Sequence, residues 1–159
     1  MAADPEATRQ IEPEILRRFG LFIVHFALIE KLLADLFVRL TEGEPGSMIV
    51  VTANVSQTSL SDWIRTLLDL RPSPQDWANE IRDTLTELDT LRGERNALVH
   101  GLWSTVGPAH SVIVQTVKLD RREVIKERVL TTADINDLIQ DGLDVMNRLR
   151  AILRSLGVV

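Results

Sequence analysis

PEILRRFGLFIVHFALIEKLLADLFVRLT, residues 13–41, is the stretch whose reading decides the fold. Pro13 suits the first turn of a helix, where its missing N–H costs nothing. No further proline occurs until Pro45, and Gly43 stands near the expected end. With Phe26 as zero and about 100° per residue, Ile15, Phe19, Phe22, Ile29, Leu33, Phe37 and Leu40 form one apolar stripe. Leu21, Val24, Leu28 and Leu32 form a second stripe on nearly the opposite side. A helix apolar on two sides needs cover on two sides, and a single bundle layer covers one. The rest of the chain or another subunit must supply the other. A symmetric homodimer is expected, with this helix or the one ending at residue 100 near the axis.

The pattern continues outward from that helix. Pro45 and Ser47 open a short helical segment through Val55. Ser56 or Ser59 is placed to cap a helix to about Leu70, with Leu60, Ile64, Leu67 and Leu68 inward. The sequence RPSP breaks it. Ser73 is the expected cap of a helix from about Pro74 to His100, with Trp77, Ile81, Leu85 and Leu88 on its stripe. Gly101 is expected to end that helix in a left-handed conformation. Residues 102–130 then change character. LWSTV, SVIVQTVKL and EVIKERVL are β-rich runs separated by Gly107-Pro108 and Asp120-Arg121, which predicts a small antiparallel meander. Thr131 or Thr132 caps a last helix to about Leu156, with Ile135, Leu138, Val145, Met146, Leu149 and Leu153 inward. The fold class is mainly α: a helical bundle with a small antiparallel β meander before the last helix. Residues 1–12 read as a flexible leader and 13–159 as a single domain, with its β insertion at about 102–130.

The 159 residues suit one domain with a real core. Cysteine is absent, which removes disulfides, thiol nucleophiles and thiolate metal sites and is compatible with a reducing, cytoplasmic setting. The N-terminal ten residues lack the apolar core of a signal peptide. The most apolar run, 21–40, contains His25, Glu30, Lys31, Asp35 and Arg39, so a buried helix is expected there and no membrane span. The net charge of −5 argues against an extended nucleic-acid surface, because phosphate contacts usually demand a basic surplus. It leaves room for a small basic cleft. His25, His110 and the acids show no metal-ligand spacing, and no metal or other cofactor is expected. Trp63, Trp77 and Trp103 are too dispersed for a stacking platform and are expected to anchor the core.

Chemistry concentrates in Arg95-Asn96-Ala97-Leu98-Val99-His100-Gly101. With Leu88 at zero, Arg95 falls at about −20°, inside the apolar stripe. A charge there must reach solvent, find a partner or line a cleft. Asn96 and His100, four apart, share a neighbouring face. Glu30 shows the same anomaly on the first helix, about 40° from Phe26. Glu30 and Arg95 are therefore expected to form a buried ion pair that fixes helix register or orients the Arg.

These residues give the chain its resemblance to HEPN domains. Those are helical bundles with an Arg, a polar residue and a His in the pattern R-x4–6-H, matched here by Arg95-Asn96-x-x-x-His100 at a helix end. The likeness covers roughly 13–101 and 131–156; the meander lies outside the minimal family bundle. The resemblance implies a metal-independent endoribonuclease, active as a dimer whose two motifs face one cleft. RNA would be its substrate, with His100 as general acid or base and Arg95 on the phosphate. Asn96 would orient the phosphate or the imidazole, and Glu30 would support Arg95. Many family members serve as toxins or in phage defence, which implies an antitoxin partner. Others are noncatalytic and mediate association or regulation, the alternative function. Some HEPN toxins carry a modifiable Tyr two residues after the His; this chain has Leu102 there and no tyrosine.

Overall fold

The computed structural model describes residues 11–70, 75–105, 111–120 and 122–157. The order is α1 (Pro13–Thr41), α2 (Pro45–Ala53), α3 (Gln57–Leu70), α4 (Gln75–His100), β1 (Leu102–Ser104), β2 (Ser111–Asp120), β3 (Arg122–Thr131) and α5 (Thr132–Ser155). The protein is thus mainly helical, with a three-stranded antiparallel sheet of order β1-β2-β3 before the final helix. The first-helix reading matches α1 at both ends. Among the described residues no helix is long and apolar enough to cross a membrane. The leader through residue 10, the Ser73 cap, the Gly107-Pro108 break and His110 lie outside the described residues.

By their contacts the residues separate into two compact units. One comprises residues 1–23 and 92–140, the other residues 24–91 and 141–159. Helices α1, α4 and α5 each contribute to both units.

Among the described residues, the regular elements of the second unit are all helices. Its core is the main stripe of α1, from Phe26 through Ile29, Leu33, Leu36 and Phe37 to Leu40, together with Leu60, Ile64 and Leu68 of α3. Ile81, Leu85 and Leu88 of α4 and Val145, Met146 and Leu149 of α5 are buried with them. Phe37 meets Trp63 ring to ring at 5.6 Å. Local chemistry sets the helix starts. Glu44 accepts from the backbone N–H of Gly46 and Ser47 at 2.9 and 2.7 Å, and Pro45 follows it at the start of α2. Ser56, rather than Ser59, caps α3: its Oγ accepts from the Ser59 N–H at 3.1 Å. Helix α2 differs from the others because none of its residues is buried.

The first unit packs the start of α1, the last turns of α4, the sheet and the start of α5. Ile15 and Phe22 of α1, Leu98 of α4, Val112 and Val114 of β2, Leu130 of β3 and Ile135 and Leu138 of α5 are buried. Val112 lies opposite Leu130 and Val114 opposite Arg128, so one sheet face supplies the apolar contact. Trp103, paired with Val114 across β1 and β2, meets Phe19 in a tilted arrangement with ring centres 4.9 Å apart. Glu14 holds Arg17 and Arg18 on the outer surface of α1.

Thr131 and Asp134 form a reciprocal cap at the start of α5. The Thr131 N–H and hydroxyl donate to the Asp134 carboxylate at 2.7 and 2.6 Å, and the Asp134 N–H donates to Thr131 Oγ1 at 3.2 Å. The hydroxyl and then the N–H of Thr131 hold the Asp134 carboxyl below its ordinary value. That contribution is complete above the ordinary carboxylate range and is lost as pH falls through the lowered folded value. Thr131→Ala is expected to cost about 0.5–2 kcal/mol near neutral pH, with a smaller penalty in acid. Urea unfolding of parent and variant at both pH values checks this; a penalty independent of pH would show that the carboxylate contributes nothing.

Candidate functional site

The site is built at the C-terminal end of α4, within the first unit. Helical periodicity puts Arg95 in the centre of the stripe defined by Leu88, yet Arg95 is only half-buried and Val99 is exposed. The stripe itself turns along the helix. Ala78, Ile81 and Leu85 are buried on one side of the Leu88 direction, whereas Leu91 and Leu98 are buried at about −60° and −80°. From Arg92 onward α4 packs within the first unit, so the buried sector follows a different set of neighbours. Arg95 thereby leaves the core and reaches the surface.

Arg95 and Asn96 are brought together: Arg95 Nη1 donates to Asn96 Oδ1 at 3.0 Å. Asn96 is exposed. His100 is the last residue of α4 and also exposed. By helix geometry it stands about 7.5 Å further along the axis and about 140° around it from Arg95. A phosphate held at Arg95 and an imidazole reaching from His100 must therefore meet over the helix end, with both side chains extended. The adjacent Glu94 is tied up with Arg128 of β3, its carboxylate accepting from Arg128 Nη1.

The end of α4 is held by contacts that the sequence did not announce. Trp103 Nε1 donates to the Leu98 carbonyl at 2.7 Å, satisfying one acceptor that the helix terminus would leave open. Gly101 corrects an expectation. The only described residues with positive φ are Glu42 and Gly157, so Gly101 is not in the left-handed conformation. Glycine is needed there for space. A Cβ at Gly101 would press into the Val114 side chain and lie 2.6 Å from the Ala97 carbonyl oxygen. The absent side chain lets the chain pass from α4 into β1 directly against β2.

Glu30 is a second correction. It is exposed, so the burial that argued for a Glu30–Arg95 pair is absent, and among the described residues Glu30 takes part in no ion pair. The buried residues of α1 span about −80° to +20° relative to Phe26, and Glu30 at about +40° falls just outside that arc. Glu30 lines a polar cavity of about 340 Å³ together with Gln57, Ser56 and Thr52. His25 is half-buried, as its position between the two stripes of α1 suggests.

Charge is divided unevenly. The unit that carries Arg95, Asn96 and His100 contains ten basic and ten acidic residues and is neutral. The other contains eight basic and thirteen acidic residues and accounts for the whole net charge of −5. The acidic balance of the chain is thus no property of the unit bearing the motif. In comparisons with known proteins, no family model, curated protein or solved structure matches the chain.

The fit at Gly101 gives a direct test of how the site is held. Gly101→Ala is expected to destabilise by about 1–3 kcal/mol, the usual range for overpacking. Chemical unfolding measures it. A neutral effect would show that Val114 of β2 is not pressed against Gly101.

Proposed function

We propose that the protein is a metal-independent endoribonuclease of HEPN type whose active groups are Arg95, Asn96 and His100. The observation that supports this best is the surface cluster at the end of α4: a guanidinium oriented by Asn96 and an exposed imidazole at the same helix terminus, on a unit with no net charge. A 2′-hydroxyl of RNA attacks the adjacent phosphorus. The new 2′-O–P bond forms as the P–O5′ bond breaks, leaving a 2′,3′-cyclic phosphate and a 5′-hydroxyl. One proton leaves the 2′-oxygen and one is delivered to the departing 5′-oxygen. His100 is suited to one of these transfers. A second copy of the chain, brought up in a dimer, would supply the other. Arg95 offsets the charge that grows on the phosphoryl oxygens, and Asn96 keeps the guanidinium in place. In this reading Glu30 has no part.

The reaction needs only imidazole and guanidinium chemistry, so EDTA should not inhibit it. Removing acid–base help is expected to cost roughly 10²–10⁴-fold in rate. Incubation of total RNA with parent, His100→Ala and Arg95→Ala in EDTA tests this. Cleavage by the parent alone, with both variants folded, is the expected result. Equal cleavage by all three would assign the activity elsewhere.

A second reading has its own support. Of the second stripe of α1, Leu21, Val24 and Leu28 are exposed, Val24 by 57%, and Leu32 is half-buried. Large aliphatic groups in a row on one helix face favour association, so the chain would serve as a noncatalytic dimerisation or regulatory domain, with an antitoxin among its candidate partners. A homodimer formed through this face also fits the enzymatic reading. Val24→Lys together with Leu28→Lys is expected to leave a monomer by light scattering at high micromolar concentration, where the parent is a dimer. A monomeric parent would count against association through this face.

A further inference from the structure

The second unit contains two adjoining cavities that the proposed ribonuclease does not use. The larger, about 640 Å³, lies between the C-terminal half of α1 and α2, with Ala34, Val38, Pro45 and Ile49 as its apolar lining. The smaller, about 340 Å³, is the polar one beside Glu30. Both border on Ala34 and Thr52. Ala34 offers only a methyl group, and the Thr52 hydroxyl is turned back onto the Met48 carbonyl at 3.0 Å. Each volume falls in the range of small-molecule sites.

The two compartments differ in chemistry. Glu30 is the single charged residue lining the small one, and no basic residue lines it among the described residues. Gln57 lies beside it, and its Nε2 is buried without a hydrogen-bond partner. A 180° turn of that amide would present its oxygen instead, so Gln57 can serve a ligand that donates or one that accepts. The large compartment is bordered by Asp35 and Glu42 against one Arg39, whose Nε is spent on the Leu156 carbonyl at 2.7 Å. Helix α2 buries none of its residues, and Ile49 stands 64% exposed on the groove. The unit as a whole carries the surplus of five negative charges.

We propose that these cavities form one binding site for a small amphiphilic cation, with an ammonium or guanidinium group at Glu30 and Gln57 and an aliphatic body against Val38 and Ile49. A carboxylate in a polar recess selects a cationic donor. The adjoining apolar wall rewards a hydrocarbon tail by removing it and Ile49 from water. The site belongs to the unit without the Arg95 cluster, so it stands or falls independently of RNA cleavage.

The test uses the full chain, isotope-labelled, with n-octylammonium, n-octanol and n-octanoate as probes below their aggregation concentrations. Amide and methyl NMR spectra are recorded during each titration. With n-octylammonium, saturable shifts are expected at Ala34, Val38, Ile49 and Thr52, with octanoate binding at least about tenfold more weakly. Glu30→Gln, a change at an exposed residue, should weaken n-octylammonium by about tenfold and leave octanol unchanged. Ile49→Ser should weaken all three probes. Equal binding of octylammonium and octanoate, an unaltered Glu30→Gln titration, or the absence of saturable shifts at these residues would each overturn the proposal.

Discussion

Burial of one stripe of α1 is the constraint on which the rest depends. The helix contributes Ile15 and Phe22 to one unit and Phe26 through Leu40 to the other, so each core is organised around a segment of the same element. Helical propensity alone does not hold a 29-residue helix in water; packing of its apolar face does. The same helix leaves Leu21, Val24 and Leu28 outside the core. Whether a second surface covers them is a question of assembly and not of the chain's own folding.

How much could be read in advance follows from what each element depends on. Helix α1 was legible because Pro13 marks its start and its stripe has an unbroken period, although the left-handed residue just past its end is Glu42 and not Gly43. The three-strand meander was legible because alternation and turn residues are local signals, and the start of α5 was legible to within the choice between Thr131 and Thr132, which the bonds to Asp134 decide for Thr131. Glu30 was misplaced because an arc of about 100° separates core from solvent, and a residue 20° beyond its edge reads as inside when the arc is centred on one phenylalanine. Gly101 reads locally as a left-handed cap, whereas it is glycine for want of space. A glycine after a helix signals a left-handed turn by frequency, but the close approach of Val114 is set by β-strand register far along the chain. Nothing local in the sequence carries that register.

The candidate site was legible only in part. The spacing Arg95, Asn96, His100 and the helix end were plain, but the Arg95–Asn96 hydrogen bond was not, because adjacent helical side chains point about 100° apart. The exit of Arg95 from the core was not, because it depends on the turn of the buried sector once α4 passes Arg92. The Glu94–Arg128 pair and the Trp103 bond to Leu98 likewise need the sheet in place. The division of charge bears on the proposed function. A chain of net charge −5 is a poor general binder of RNA, but the unit with the motif is neutral and the surplus lies where the Glu30 cavity is.

In the proposed reaction Arg95, Asn96 and His100 direct a 2′-hydroxyl onto its neighbouring phosphate. The most direct measurement is the chemistry of the ends left on cleaved RNA, read by mass spectrometry of a short defined oligonucleotide after treatment with the purified chain. The expected products carry 2′,3′-cyclic phosphate and 5′-hydroxyl termini, and an oligonucleotide in which every 2′-hydroxyl is methylated is expected to stay intact. Products with 3′-hydroxyl and 5′-phosphate termini, or cleavage of the methylated oligonucleotide, would contradict it.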